Sequence, residues 1–173
     1  GSFYDCSSLT SIEIPDSVTS IDSDAFSWCS SLMSIEIPNS VKSIGESAFF
    51  CCKNLKSITV PNTVTVIKKW TFYCCNSLEN VVLPNSITSI GEDAFYECKN
   101  LVTIAIPSNV KSIGESAFYG CKNITSISIP KGVVNIEKDT FSYCESLTKV
   151  TIPNGVKNIK EEAFFYCIKL ASL

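Results

Sequence analysis

Apolar residues return along this chain with a period of 23 residues. Leu9, Ile12 and Ile14 lead to Pro15. Val18, Ile21, Ala25, Phe26 and Cys29 follow, and Leu32 opens the next unit. The second copy reads Leu32, Ile35, Ile37, Pro38, Val41, Ile44, Ala48, Phe49 and Cys52. All seven prolines, from Pro15 to Pro153, stand on one ladder with that step. Eight of the ten cysteines keep it from Cys6 to Cys167, and eight of the ten phenylalanines from Phe3 to Phe164. No insertion breaks the register. Substitutions within the columns are conservative: Val81 and Val150 for Ile, Thr71 and Thr140 for Ala, Ile124 for Leu. A fixed period of this size is the mark of a solenoid.

Ile12 and Ile14 are two apart, which puts both side chains on one face of a short strand. Pro15 cannot donate to a ladder and ends that strand in each coil. Asp16, Asn39, Asn62, Asn85 and Asn154 follow the proline and make a turn. Val18 and Ile21 then point inward from a return segment with a second short strand. Gly45, Gly91 and Gly114 loosen the chain after the isoleucine, and Glu46, Glu92 and Glu115 follow. Residues 47–52 and their equivalents predict one helical or 3-10 turn, with the acidic residues at its amide end. A single coil buries about six large apolar side chains at roughly 1.5–3 kcal/mol each. Ordering its backbone costs about 1–2 kcal/mol per residue. A lone coil therefore does not fold, and stacking must supply the core.

The unit L-x-x-I-x-I-P-x-S-V-x-S-I-G-x-x-A-F-x-x-C, read from Leu32 to Cys52, resembles the BspA-like (treponemal type) leucine-rich repeat. The resemblance covers essentially the whole chain. It implies a curved solenoid with a parallel sheet on its concave side, and surface proteins that adhere to host or matrix proteins. The asparagine ladder usual in leucine-rich repeats is replaced here by Ser17, Ser40, Thr63, Ser86, Asn109, Gly132 and Gly155. The expected fold is α/β but β-rich: a right-handed leucine-rich repeat solenoid with short helical or 3-10 turns on the convex side. One array of about seven repeats is expected over residues 1–173. Phe3 and Cys6 fall in an incomplete first unit, and Leu170 and Leu173 in an incomplete last one. This leads us to expect a stretch cut from a longer array, truncated at both ends, whose open ends can associate end to end. A short natural chain that caps itself by dimerising is the alternative.

The net charge of -3 is too small, and of the wrong sign, for a basic nucleic-acid or membrane-binding face. The longest apolar run, Ala163 to Ile168, is six residues, against about 20 needed to span a bilayer. The chain has no histidine and no arginine; its 14 basic residues are all lysines. The commonest general base, the commonest metal ligand and the bidentate phosphate clamp are thereby missing. No cofactor and no metal are expected. One cysteine per coil in an apolar column reads as a buried ladder of small hydrophobes. Adjacent members stand about 4.8 Å apart, slightly wide for a disulfide. Cys51 and Cys74 lie off that column, at a position expected to be partly exposed, where a bridge between them is an open alternative.

Outward columns between the inward isoleucines give the candidate binding face. One reads Ser11, Ser34, Ser57, Asn80, Thr103 and Ser126; the next carries Glu13, Glu36, Thr59 and Val82 before Ala105, Ser128 and Thr151. This concave face is either a protein-binding sheet or a solvated one. A second stripe, Phe50, Tyr73, Tyr96, Tyr119 and Phe165, either stacks on itself or offers a platform for a sugar or peptide. The third coil departs most from the pattern, with Lys68, Lys69 and Trp70 where others read Gly-Glu-Ser, and an exposed Trp70 is a further candidate anchor. Asn123-Ile124-Thr125 is a glycosylation sequon. Three functions compete. The first is a non-catalytic protein-binding module of an adhesin-like surface protein, with a host or matrix protein as partner. The second is an intracellular scaffold or spacer. The third, an enzyme, would need Glu13 and Glu36 about 5 Å apart as a carboxylate pair, and on an open sheet neither is desolvated.

Overall fold

The computed structural model of the protein describes residues 1–171; Leu173 lies outside the described residues. Among the described residues, eleven strands of two or three residues form two parallel ladders. The longer strands are β3 (Ser57–Thr59), β5 (Asn80–Val82), β8 (Ser126–Ser128) and β10 (Lys149–Thr151). The shorter ones are β1 (Ser20–Ile21), β2 (Ser43–Ile44), β4 (Val66–Ile67), β6 (Ser89–Ile90), β7 (Ser112–Ile113), β9 (Asn135–Ile136) and β11 (Asn158–Ile159). Every pair is parallel and one period apart: Ile58 opposes Val81, and Ile21 opposes Ile44. Bridges between Glu13 and Glu36, and between Asn80 and Thr103, continue the first ladder. Each three-residue strand buries only its central residue, so a slip of one position would turn Ile58 or Val81 out to water. The return strand after the proline turn is present in each of these coils, as the Val-x-x-Ile spacing predicts.

The third side of the coil differs from expectation. Among the described residues there is no helix, and residues 47–52 form separate hydrogen-bonded turns rather than an α or 3-10 helical turn. Ser47 and Cys51 are left-handed, with φ of 54° and 56°, and the same two positions are left-handed in the following coils. Phe50 N–H and Cys52 N–H bond back to Ser47 and Phe49 within the coil. The amides of Ser47, Phe49 and Cys51 instead donate to Lys69, Thr71 and Tyr73 of the next coil, at 3.1, 3.0 and 2.8 Å. A 3-10 helix would consume these donors internally. Alternating the backbone hand turns every second N–H along the axis, and the third side becomes a ladder between coils. The α/β expectation is corrected accordingly to a solenoid of strands and turns.

The glycines also act otherwise than by loosening the chain. A Cβ on Gly45, Gly91 or Gly114 would lie 2.3, 2.6 or 2.5 Å from a backbone nitrogen of the preceding coil. Their column is where neighbouring backbones approach most closely.

The core runs the length of the stack. Phe3, Phe26, Phe49, Phe72, Phe95, Phe118, Phe141 and Phe164 stack with centroids 5.2–5.6 Å apart. Thr71 and Thr140 occupy the alanine column fully buried, and each hydroxyl is satisfied by the carbonyl three residues back. The cysteine ladder is buried in the central coils but is more than a file of small hydrophobes. Each thiol from Cys29 to Cys167 donates to the phenylalanine carbonyl of the coil before, at 3.1–3.3 Å. That carbonyl also accepts the amide three residues on, so its two lone pairs are both used in a dry interior. Burial pushes the Cys75, Cys98 and Cys144 thiols far up from their ordinary value.

Candidate binding surfaces

The first ladder presents its outward residues to solvent without interruption. Glu13, Glu36, Thr59 and Val82 are all exposed and form one file, Glu13 bridged to Glu36 and Thr59 opposite Val82. The backbone beneath them repeats, while the side chains change from acidic to neutral to apolar along the axis. Two further apolar residues on this side were missed by sequence reasoning: Met33 and Val102, 50% and 45% exposed beside Val82 at 48%. They belong to the column Thr10, Met33, Lys56, Glu79, Val102, three positions before the Glu13 column. Strict strand alternation would turn this column inward with Ile12, which is why it was not found. Glu13 and Glu36 border an open depression of about 550 Å³ with Pro15, Asp16, Pro38 and Asn39. Both carboxylates stay in water there. Among the described residues no group of three metal-binding side chains comes together.

Lys68, Lys69 and Trp70 follow β4 and lie on the third side, so the candidate residues divide between two surfaces. Trp70 is half-buried rather than exposed. Its indole N–H donates to Asp93 Oδ2 at 3.1 Å, and the Lys69 ammonium sits 4.0 Å from its ring centroid. Lys69 itself is bound to Glu92 at 2.6 Å, and that hydrogen bond raises its pKa. The expected basic anchor is thus largely committed to the next coil, and Lys68 alone of the three is exposed. Burial raises the Asp93 carboxyl above its ordinary range, partly offset by the Trp70 hydrogen bond.

Beside Trp70 runs a groove of about 580 Å³, lined by Asp24, Trp28, Phe50, Tyr73, Asp93 and Tyr96 among others. Phe50, Tyr73, Tyr96 and Tyr119 stack nearly parallel with centroids 4.6–4.7 Å apart. Their faces are spent on one another and their edges meet the groove, an arrangement that explains the stripe by packing. Asp24 and Asp93, both in the left-handed conformation, were not singled out from sequence; their column also carries Ser47 and Trp70 and shows no chemical consistency. In the sequon, Asn123 is exposed and Ile124 is buried.

Two parallel strand ladders, a leucine-rich spacing and a continuous phenylalanine spine define a repeat solenoid of the leucine-rich type. The model of the BspA type leucine rich repeat region matches residues 1–121 and 67–173, in six copies, and the chain belongs to that family. The structure is similar to the crystal structure of a leucine-rich repeat protein of T. pallidum, with 32% identity and a TM-score of 0.89, covering 93% of this chain and 78% of that one. It is also similar to a leucine rich cell surface protein of Faecalibacterium prausnitzii, at 27% identity and a TM-score of 0.68. A leucine-rich repeat protein of Bacteroides ovatus shares 31% identity with a TM-score of 0.58. These last two alignments cover 99% of this chain and 62% of each relative, so the chain spans under two thirds of their length. There is no match among curated proteins. Among the described residues no helix is long and apolar enough to cross a membrane.

Proposed function

We propose that this chain is a non-catalytic protein-binding module of an adhesin-like surface protein, and that it binds through the outward face of the first ladder. The observation that carries the reading is the file of exposed, non-repeating side chains on a repeating backbone. A rigid sheet pre-orders the contact residues, so binding costs little conformational entropy. Met33, Val82 and Val102 supply exposed apolar area among small polar neighbours that desolvate cheaply. The similarity to a protein described as cell-surface supports the location. The partner proposed is a host or matrix protein with an apolar contact of modest size. The test is capture from a solubilised extracellular-matrix extract by immobilised chain, compared with the double variant Thr59→Lys, Val82→Asp and with Trp70→Ala. Loss with the double variant alone supports the strand face. Loss with Trp70→Ala alone moves the site to the groove, and no capture by the native chain removes the adhesin reading.

A second reading, an intracellular scaffold or spacer, is favoured by one observation: seven thiols each donate S–H to a phenylalanine carbonyl, a role that needs them reduced. Disulfides are the habit of oxidising compartments, and so many free thiols suit a reducing one. Thiol titration of protein isolated from its own cell separates the two.

A further inference from the structure

Nine of the ten cysteines fall into two chemical situations once their neighbours are traced. The thiols from Cys29 to Cys167 on the main ladder are each tied to a phenylalanine carbonyl, and all of them but the half-exposed Cys167 are buried. Cys51 and Cys74 are not so tied. Among the described residues neither donates to a carbonyl, and the two thiols are near enough that each alters the other's ionisation. The Cys51 amide bonds to the carbonyl of Tyr73 at 2.8 Å, which sets the two residues side by side on adjacent coils. Both are left-handed, with φ of 56° and 55°, so their Cα–Cβ bonds leave the backbone in the same direction. Neighbouring backbones in a ladder stand about 4.8 Å apart, inside the Cα separation of natural disulfides and a few tenths of an ångström beyond their usual Cβ separation, a gap that a small shift of the half-exposed turn at Cys74 closes. Cys74 is half-exposed, as expected of this column, whereas Cys51 is only 5% exposed, which corrects the expectation of partial exposure there.

We propose that Cys51 and Cys74 are an oxidisable pair that closes into a disulfide between the second and third coils under a low-molecular-weight disulfide such as oxidised glutathione. The unequal burial sets the order of events. The Cys74 thiolate attacks one sulfur of glutathione disulfide and expels a glutathione thiolate. Cys51, having lost its proton, then attacks the Cys74 sulfur of the mixed disulfide and expels the second glutathione thiolate. The two protons released by the cysteines protonate the two leaving thiolates. One disulfide is consumed, one is formed, and two glutathione thiols leave. The new bond would pin the two coils next to the Phe50–Tyr73 stack and hold that wall of the groove. Burial holds back both ionised forms; at Cys74 the neighbouring Cys51 and then Glu97 add to it and Lys99 offsets it, while at Cys51 Lys53 and Cys74 offset it. The exchange is therefore slow at neutral pH and quickens as the solution is made alkaline.

The experiment incubates the folded chain with glutathione disulfide in a Cys6→Ser background, because Cys6 is exposed. It is quenched with acid and read by intact mass and peptide mapping. The expected product has lost two hydrogens and joins the peptide holding Cys51 to the peptide holding Cys74. Cys51→Ser is expected to stop at one stable glutathione adduct on Cys74, and Cys74→Ser to gain none. Both variants should fold, since the same column carries Trp28, Glu97, Gly120 and Tyr143 in other coils. They also separate Cys51 from adjacent Cys52, and Cys74 from Cys75. An unchanged mass, an adduct that persists on the parent protein, or a linkage through Cys52 or Cys75 overturns the proposal.

Discussion

Asp93 shows how a single side chain tunes a coil. Its carboxylate accepts the Trp70 indole N–H, yet burial holds its pKa above the ordinary 3.8. A carboxyl whose folded pKa exceeds its unfolded value contributes stability below the unfolded value and loses it as pH rises through the folded one. At neutral pH the charge is therefore a liability. Asp93→Asn keeps an acceptor for Trp70 and removes the charge. It should raise the urea midpoint at neutral pH, and the gain should vanish below pH 3.8. A variant equally stabilised at both would show that the effect is not electrostatic. Cys98 tests the thiol ladder in the same way. Its S–H donates to Phe72 O at 3.2 Å in a fully buried site. Cys98→Ala removes the donor and leaves a small void, for a loss of about 1–2 kcal/mol in urea unfolding. A loss near zero would mean that the sulfur only fills space.

At the scale of the element, the third side depends on residues forced into the left-handed region. Ser116 is one, with φ of 52°. Glycine visits that region freely, whereas a β-branched side chain is strained there by about 1–2 kcal/mol. Ser116→Gly should leave stability level or slightly higher, and Ser116→Val should lower it by about that amount; denaturant midpoints of the three proteins give the order. The same conformations explain what could and could not be read beforehand. The strands, the proline turn and the Phe spine were legible, because Ile12, Ile14, Pro15 and Phe26 carry one physical instruction in every coil. The third side was not, because its left-handed positions hold Asp24, Ser47, Trp70, Trp28, Cys51 and Glu97, and only Gly120 is the residue that would announce such a backbone. The cost is met by the bonds between coils, which no single coil encodes. For the same reason Trp70 looked exposed: its half-burial is made by Asp93 and Lys69, and Asp93 belongs to the next coil. The strand face was readable down to Val82, since alternation needs only local geometry.

Across the whole molecule, the regularity that builds the core also concentrates one kind of titratable group inside it. Burial raises Cys52, Cys75, Cys98, Cys121 and Cys144 far above the ordinary thiol value of 9.0, and the half-buried hydroxyl of Tyr96 shifts in the same direction. The unfolded chain would ionise these thiols near 9.0 while the folded chain keeps their protons. Their contribution is thus intact below that pH and is lost as pH climbs toward the folded values. Each thiol withdraws up to roughly 1.4 kcal/mol per pH unit in that window. Five acting together withdraw about 7 kcal/mol per unit, against a typical domain stability of about 5–15 kcal/mol. The stack should therefore unfold cooperatively within about two pH units above the ordinary thiol value, in a reducing buffer that prevents oxidation. Circular dichroism and thiolate absorbance followed together make the check. Loss of structure and appearance of thiolate should coincide, because a coil cannot admit a charge without parting from its neighbours. Thiolate signal from the main ladder in a chain that is still folded would mean that the ladder is open to solvent.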